Sequence, residues 1–179
     1  MNLPNKLTIF RVCTIPLFVI FMEFDVFGNA DKYVAVALFI IASITDALDG
    51  HIARKYNLVT NFGKFMDPLA DKLLVCSALI CLTGVIPSWV VVVIISRELI
   101  ISGFRIIAAD NGIVIAASYW GKIKTVCQMI MIIWLIVDIN YAFFEITGKV
   151  LVYLSLILTV ISLVDYMYKN KDVLKENNK

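Results

Sequence analysis

Apolar runs long enough to form membrane-crossing helices, separated by short polar breaks, set the plan of this chain. The first run predicts a helix from about Leu7 to Phe24, bent at Pro16, whose ring removes a backbone hydrogen bond. Asp25–Lys32, containing Phe27-Gly28-Asn29, reads as a loop by its turn residues. A second helix begins near Tyr33, stays uncharged until Asp46, and carries Asp46, Asp49 and Arg54 in its last turns. The polar break Asn57–Asn61 precedes a third helix, about Phe62–Thr83. Gly84 and Pro87 mark a tight turn inside the uncharged stretch Leu73–Ser96, so that stretch is two helices joined. The fourth helix, about Ser88–Ala109, contains Arg97 and Glu98. A loop around Asp110-Asn111-Gly112 leads to a fifth helix, about Tyr119–Val137. The loop Asp138–Gly148 then precedes a sixth, about Lys149–Tyr168, and a polar, lysine-rich tail follows from about residue 169.

Composition turns these helices into membrane spans. The chain is 61% hydrophobic and 17% charged, with 16 basic and 14 acidic residues. Crossing a hydrocarbon core about 30 Å thick takes roughly 20 helical residues, and the alternating strands of a membrane barrel are absent from the pattern. The expected fold is all-α: a polytopic membrane protein of six transmembrane helices, forming one integral membrane domain over residues 1–179. The first apolar run continues through Phe21-Met22-Glu23-Phe24 without a small-residue cleavage site and reads as a retained helix. Four cysteines without a C-x-x-C pair are expected to be small core residues. A net charge of +2 without a long basic run argues against a nucleic-acid partner.

An even helix number puts both termini on one side, and lysine and arginine bias selects the side. Lys6, Arg11, Arg54, Lys55, Lys64, Arg105, Lys122, Lys124 and the tail lysines fall on the terminus side, against Lys32 and Lys149 opposite. Both termini are therefore expected in the cytoplasm, together with the end of helix two and the start of helix three.

Those two helix ends hold the chemistry. Asp46-Ala-Leu-Asp49-Gly50-His-Ile-Ala53-Arg54 is followed by Gly63-Lys-Phe-Met-Asp67-Pro-Leu-Ala-Asp71. Acids near membrane depth are costly and by default mark function. Asp46 and Asp49 are three apart, and Asp67 and Asp71 four apart, so each pair shares a helix face. Gly50, Ala53 and Gly63 are small residues that let two helix backbones approach. Four close carboxylates repel unless cations neutralise them, and an all-oxygen set suits Mg2+ or Mn2+ rather than zinc. Two such ions can clamp the attacking and leaving oxygens of a phosphoryl displacement. Scattered acids alone would fit a buried ion-pair network or the cation pathway of a transporter or channel equally well. His51 falls between the motif positions and reads as a bystander.

The spacing D-x-x-D-G-x-x-A-R, then G-x-x-x-D-x-x-x-D, is more specific than scattered acids. It resembles the signature of the CDP-alcohol phosphotransferase family, and all eight positions match: Asp46, Asp49, Gly50, Ala53, Arg54, Gly63, Asp67 and Asp71. The resemblance implies a six-helix membrane enzyme that joins an alcohol to a phosphate of a CDP-linked donor and releases CMP. It implies that Asp46, Asp49, Asp67 and Asp71 hold two divalent cations, Mg2+ or Mn2+, with Asp71 also the base for the incoming hydroxyl. Asp46, Asp49, Gly50, Arg54, Thr60 and Gly63 would form the CDP-lipid site, Thr60 touching the cytidine. A homodimer is also implied.

Outside the signature, Asn2-Leu3-Pro4-Asn5-Lys6-Leu7-Thr8-Ile9-Phe10-Arg11, Ser96-Arg97-Glu98, and Ala116–Thr125 with Gln128 resemble one bacterial branch of that family. The resemblance implies CDP-diacylglycerol as donor and glycerol 3-phosphate as acceptor, in the bacterial cell membrane with the site facing the cytoplasm. Other acceptors (serine, inositol phosphate or phosphatidylglycerol) remain open from the signature alone. Arg105, Lys122, Lys124 and Arg97 are the expected acceptor-phosphate residues, although topology alone wants basic residues where the first three lie. Arg97 and Glu98 are neighbours on different helix faces, so a mutual ion pair is not expected. Arg11 and Asn5 either line the site or anchor helix one at the headgroups. Trp89, Trp120 and Trp134 read as interface and lipid-facing residues.

Overall fold

The computed structural model describes residues 2–55, 61–110 and 118–170. Among these residues the protein is all-helical: α1 (Leu3–Glu23), α2 (Asp31–Lys55), α3 (Asn61–Cys81), α4 (Ser88–Asp110), α5 (Tyr119–Val137) and α6 (Ala142–Lys169), with two short 3-10 turns. Among the described residues four segments, within α1, at the start of α2, in α5 and in α6, are long and apolar enough to cross a membrane. The helices α3 and α4 are less uniformly apolar, since they carry Lys64, Asp67, Asp71 and Lys72, and Arg97, Glu98 and Arg105 respectively. The chain is a helical membrane protein. The predicted break after Lys55, the loop at Asn111-Gly112 and most of the lysine-rich tail lie outside the described residues.

The expected helix positions hold closely, with two shifts. The helix α1 begins at Leu3 and runs without interruption through Pro16 to Glu23. The helix α6 begins at Ala142 rather than Lys149. Asn140 and Gly148 look like breakers in sequence, yet four residues connect α5 to α6 and Gly148 is buried within the helix. Tyr141, in extended conformation, starts the helix by accepting the backbone N–H groups of Phe144 and Glu145 at 2.8 and 3.2 Å. Glu145 sits in the first turn, where its charge suits the helix dipole, 3.6 Å from Lys149. A Ser118 cap begins α5: its hydroxyl accepts the Gly121 N–H at 3.1 Å.

The chain divides into two compact units, Met1–Val85 with Ile133–Asp138, and Ile86–Ile132 with Ile139–Lys179. In the first unit, α1 buries Thr8, Arg11, Ile15 and Phe18, one stripe at three- and four-residue spacing. The helix α2 buries Ala35, Phe39, Ala42 and Thr45, and α3 buries Gly63, Ala70, Leu74 and Ala78. Alanines and glycine on these stripes permit close helix approach, while Phe18 and Phe39 meet with ring centroids 6.0 Å apart. Thr14, Ser43 and Thr45 donate their hydroxyls to the carbonyls of Phe10, Phe39 and Ile41 in their own helices, which hides them from lipid. Asp31 closes the α1–α2 loop by accepting from the backbone of Val26 and Phe27. Gly28 there has φ +65, a conformation that favours glycine.

In the second unit, Phe104 of α4 meets Tyr166 of α6 edge-on at 5.7 Å, with Ile101, Leu163 and Met167 around them. The buried face of α6 is small and polar: Gly148, Val152, Ser155, Thr159 and Ser162. Large apolar side chains such as Leu17, Ile41, Val92, Ile106 and Val164 point outward, which suits lipid as the surrounding solvent. Trp89 and Trp120 are exposed as expected. The cysteines carry no disulfide, and Cys13 is exposed rather than a core residue, because it lies off the α1 stripe.

Candidate functional site

In the first unit two of the signature acids, Asp46 and Asp67, meet the N-terminal half of α1. Thr8 and Arg11, three residues apart on one face, each reach a different helix. The Arg11 guanidinium, fully buried, donates from Nη1 to Oδ1 of Asp46 on α2 at 2.5 Å. The Thr8 hydroxyl, also fully buried, donates to Oδ1 of Asp67 on α3 at 2.6 Å. Asp46 stays 37% exposed at its side chain, so one carboxylate oxygen is anchored while the group still meets the outside. Asp46 also lies within electrostatic reach of Asp67. Two acids 21 positions apart in sequence are thus brought together across α2 and α3, with α1 as the shared support.

Gly63 is buried one turn before Asp67, and Asp67 and Asp71 are half-buried. The side chains of Asp49, Gly50, His51, Ala53 and Arg54, and the whole of Thr60, lie outside the described part. Among the described residues no three acidic, histidine or cysteine groups converge as metal ligands. The donors that are described fit a hard cation: carboxylate oxygens on adjacent helices, repelling one another, without thiolate or imidazole beside them.

Sequence reasoning left Arg11 and Asn5 undecided and gave Thr8 no role. Arg11 touches the signature directly, and Asn5 is buried. A signal for Thr8 existed: in an apolar helix, Asn5, Thr8 and Arg11 put polar atoms on the stripe that Ile15 and Phe18 continue.

The second unit holds a separate charged cluster. Glu98 of α4 accepts from Arg97 Nη1 at 3.1 Å and from the Lys124 ammonium of α5, both at Oε1. Arg97 Nη2 donates to the Ser162 hydroxyl of α6 at 2.9 Å, and Ser162 donates to the Thr159 carbonyl. A Cβ added at Gly121 would lie 3.7 Å from Arg97 Nη2; α5 presents glycine where the guanidinium passes. The expectation that Arg97 and Glu98 do not pair is corrected here. Adjacent helical residues diverge by about 100°, but both side chains are long enough to curl back, and Lys124 draws the carboxylate to where Arg97 also reaches. Arg97 and Lys124 are buried, whereas Arg105 and Lys122 are exposed. Of the four expected acceptor-phosphate residues, Arg97 and Lys124 meet at Glu98, and the other two are exposed. Gln128, one turn beyond Lys124, is buried as well.

The family model described as CDP-alcohol phosphatidyltransferase matches residues 1–161. The chain belongs to the CDP-alcohol phosphatidyltransferase family. Among curated proteins it is 44% identical to the CDP-diacylglycerol–glycerol-3-phosphate 3-phosphatidyltransferase of Bacillus subtilis (strain 168), over 99% of both chains. Proteins of the same name from Haemophilus influenzae (strain ATCC 51907 / DSM 11121 / KW20 / Rd) and Escherichia coli (strain K12) are 39% and 38% identical. The first match covers 98% of this chain and 97% of the relative, and the second 93% of both. The acids that α1 supports, Asp46 and Asp67, lie within the matched span.

Proposed function

We propose that this chain transfers the phosphatidyl group of CDP-diacylglycerol to glycerol 3-phosphate, giving phosphatidylglycerol phosphate and CMP. The observation that carries the reading is the joining of Asp46 and Asp67, across α2 and α3, by Arg11 and Thr8 of α1. The end-to-end similarity to relatives of that printed name supports the choice of acceptor.

Asp46, Asp49, Asp67 and Asp71 would hold two divalent cations, Mg2+ or Mn2+. When bound, these ions neutralise the diphosphate and the charge of the departing CMP. Asp71 takes the proton from the glycerol 3-phosphate hydroxyl. That oxygen forms a bond to the lipid-side phosphorus as the bond from phosphorus to the CMP oxygen breaks, and Asp71 returns its proton to water. No Ser, Cys or His nucleophile is invoked, so the displacement is direct. Arg54 contacts the diphosphate, while Gly50, Gly63 and Thr60 complete the CDP-lipid site. Arg97, Lys124, Arg105 and Lys122 supply positive charge for the acceptor phosphate.

The reading includes six membrane-crossing helices with both termini in the cytoplasm, a site open to the cytoplasm in a bacterial cell membrane, and a homodimer. The whole of residues 1–179 acts as one catalytic domain. The deciding experiment measures CMP release by purified protein from CDP-diacylglycerol across glycerol 3-phosphate, serine, inositol phosphate and phosphatidylglycerol. Release confined to glycerol 3-phosphate supports the proposal; release with serine and not with glycerol 3-phosphate overturns the acceptor. Divalent-cation flux in proteoliposomes without any CMP release would favour a transporter.

A further inference from the structure

Thr8 lies outside the signature, yet it bonds to one of the signature acids. The side chain is fully buried, and its hydroxyl crosses 59 positions of sequence to reach Asp67 Oδ1 at 2.6 Å. Thr14, on the same helix, hydrogen-bonds to the carbonyl four residues back. So do Ser43 and Thr45 in this unit, and Ser102, Thr125 and Thr159 in the other. That intrahelical bond is the local option for a hydroxyl in an apolar helix, so a bond to another helix reflects the placement of the acid.

We propose that Thr8 is a positioning residue for Asp67: its hydroxyl holds one carboxylate oxygen and thereby fixes the orientation in which the group meets a divalent cation. The proposal rests on the reading of the acid cluster as a cation site. A carboxylate on a helix turns about its terminal bond over a broad range; one strong hydrogen bond to a charged oxygen removes that freedom. Partners of this kind, one bond behind the ligand, typically change metal affinity by about 10- to 100-fold when removed. Thr8 is a more informative probe than Arg11. Removing a neutral hydroxyl leaves the net charge of the site unchanged, whereas removing Arg11 also changes the charge beside Asp46.

The test titrates Mn2+ into purified protein in micelles and follows free Mn2+ by electron paramagnetic resonance, with no turnover involved. Thr8→Val keeps the shape and loses the bond, Thr8→Ser keeps the hydroxyl, and Asp67→Asn removes the ligand. Expected are an Mn2+ affinity about tenfold or more weaker in Thr8→Val, wild-type affinity in Thr8→Ser, and a loss at least as large in Asp67→Asn. Circular dichroism checks that Thr8→Val is folded; if it is not, Thr8→Ser against Thr8→Ala supplies the comparison, with Ala expected weak. Wild-type affinity in Thr8→Val beside a weakened Asp67→Asn would overturn the role of Thr8 and leave the cation site standing. Unchanged affinity in Asp67→Asn, or no binding by the wild type, would remove the cation site, and the Thr8 proposal with it.

Discussion

Replacing Glu98 by Gln tests whether one acid holds the charged cluster of the second unit together. The change keeps volume and removes one negative charge. Arg97 and Lys124 contact the same oxygen, one at 3.1 Å, so their charges lie within about 6 Å of each other at ordinary hydrogen-bond lengths. With an effective dielectric constant near 20, two like charges at that distance repel by about 3 kcal/mol. Breaking a buried ion pair by removing one partner typically costs about 3–5 kcal/mol. Glu98 is 16% exposed, and a lysine ammonium can shift toward water, which lowers the expected loss to about 2–4 kcal/mol. Lys124→Met behaves differently. It removes a cation, leaves Glu98 paired with Arg97, and should cost at most about 1–2 kcal/mol.

The assay is reversible unfolding in mixed micelles, titrating SDS and following tryptophan fluorescence. The Glu98→Gln loss should exceed the Lys124→Met loss. The double variant should be more stable than the sum of the two predicts by about 1–2 kcal/mol, because the repulsion is gone. A Glu98→Gln stability within about 0.5 kcal/mol of wild type, or Lys124→Met as damaging as Glu98→Gln, would refute the hub.

Three further outcomes follow from the same geometry. Asp71→Asn should lower CMP release by about 10²- to 10⁴-fold, the usual contribution of a positioned base; a folded variant retaining a tenth of the wild-type rate would remove Asp71 from that role. Excess EDTA should stop CMP release and added Mg2+ or Mn2+ should restore it, whereas an unchanged rate in EDTA would contradict the two-cation reading. Phe39→Ala should cost about 3–5 kcal/mol in the same unfolding assay, since Phe39 is fully buried against Phe18. Ile41→Ala, at a position 48% exposed, should stay within about 0.5 kcal/mol; equal losses would contradict the packing.

The helices were legible because apolar runs and breakers are local signals, and the turn at Gly84-Pro87 was correctly read as joining two of them. The start of α6 was not: Gly148 has the same identity in a turn as inside a helix, and its burial depends on packing that one segment cannot reveal. The signature acids stood out through charge in an apolar chain and through spacing. Their support from α1 did not, because Thr8 and Asp67 are 59 positions apart and only the folded chain pairs them. Arg97 and Glu98 show the opposite limit. Helical geometry separates neighbours by face, but a third residue, Lys124 of another helix, settles where the carboxylate goes.

The two charged clusters differ in make-up. Where α1 meets α2 and α3, the described contacts set Asp46 and Asp67 beside the buried guanidinium of Arg11. At Glu98, Arg97 and Lys124 share one carboxylate. Residual charge in apolar surroundings is costly and favours a ligand of opposite sign. Under the proposed function the first cluster takes the cations, and the second serves the acceptor phosphate. Arg11 and Glu98 each neutralise part of the charge beside them. A chain that carried only the acids would fit a cation pathway as well as an enzyme. Arg97, Glu98 and Lys124 have no counterpart in so simple a cation pathway, and under the proposed function they supply charge for the acceptor phosphate.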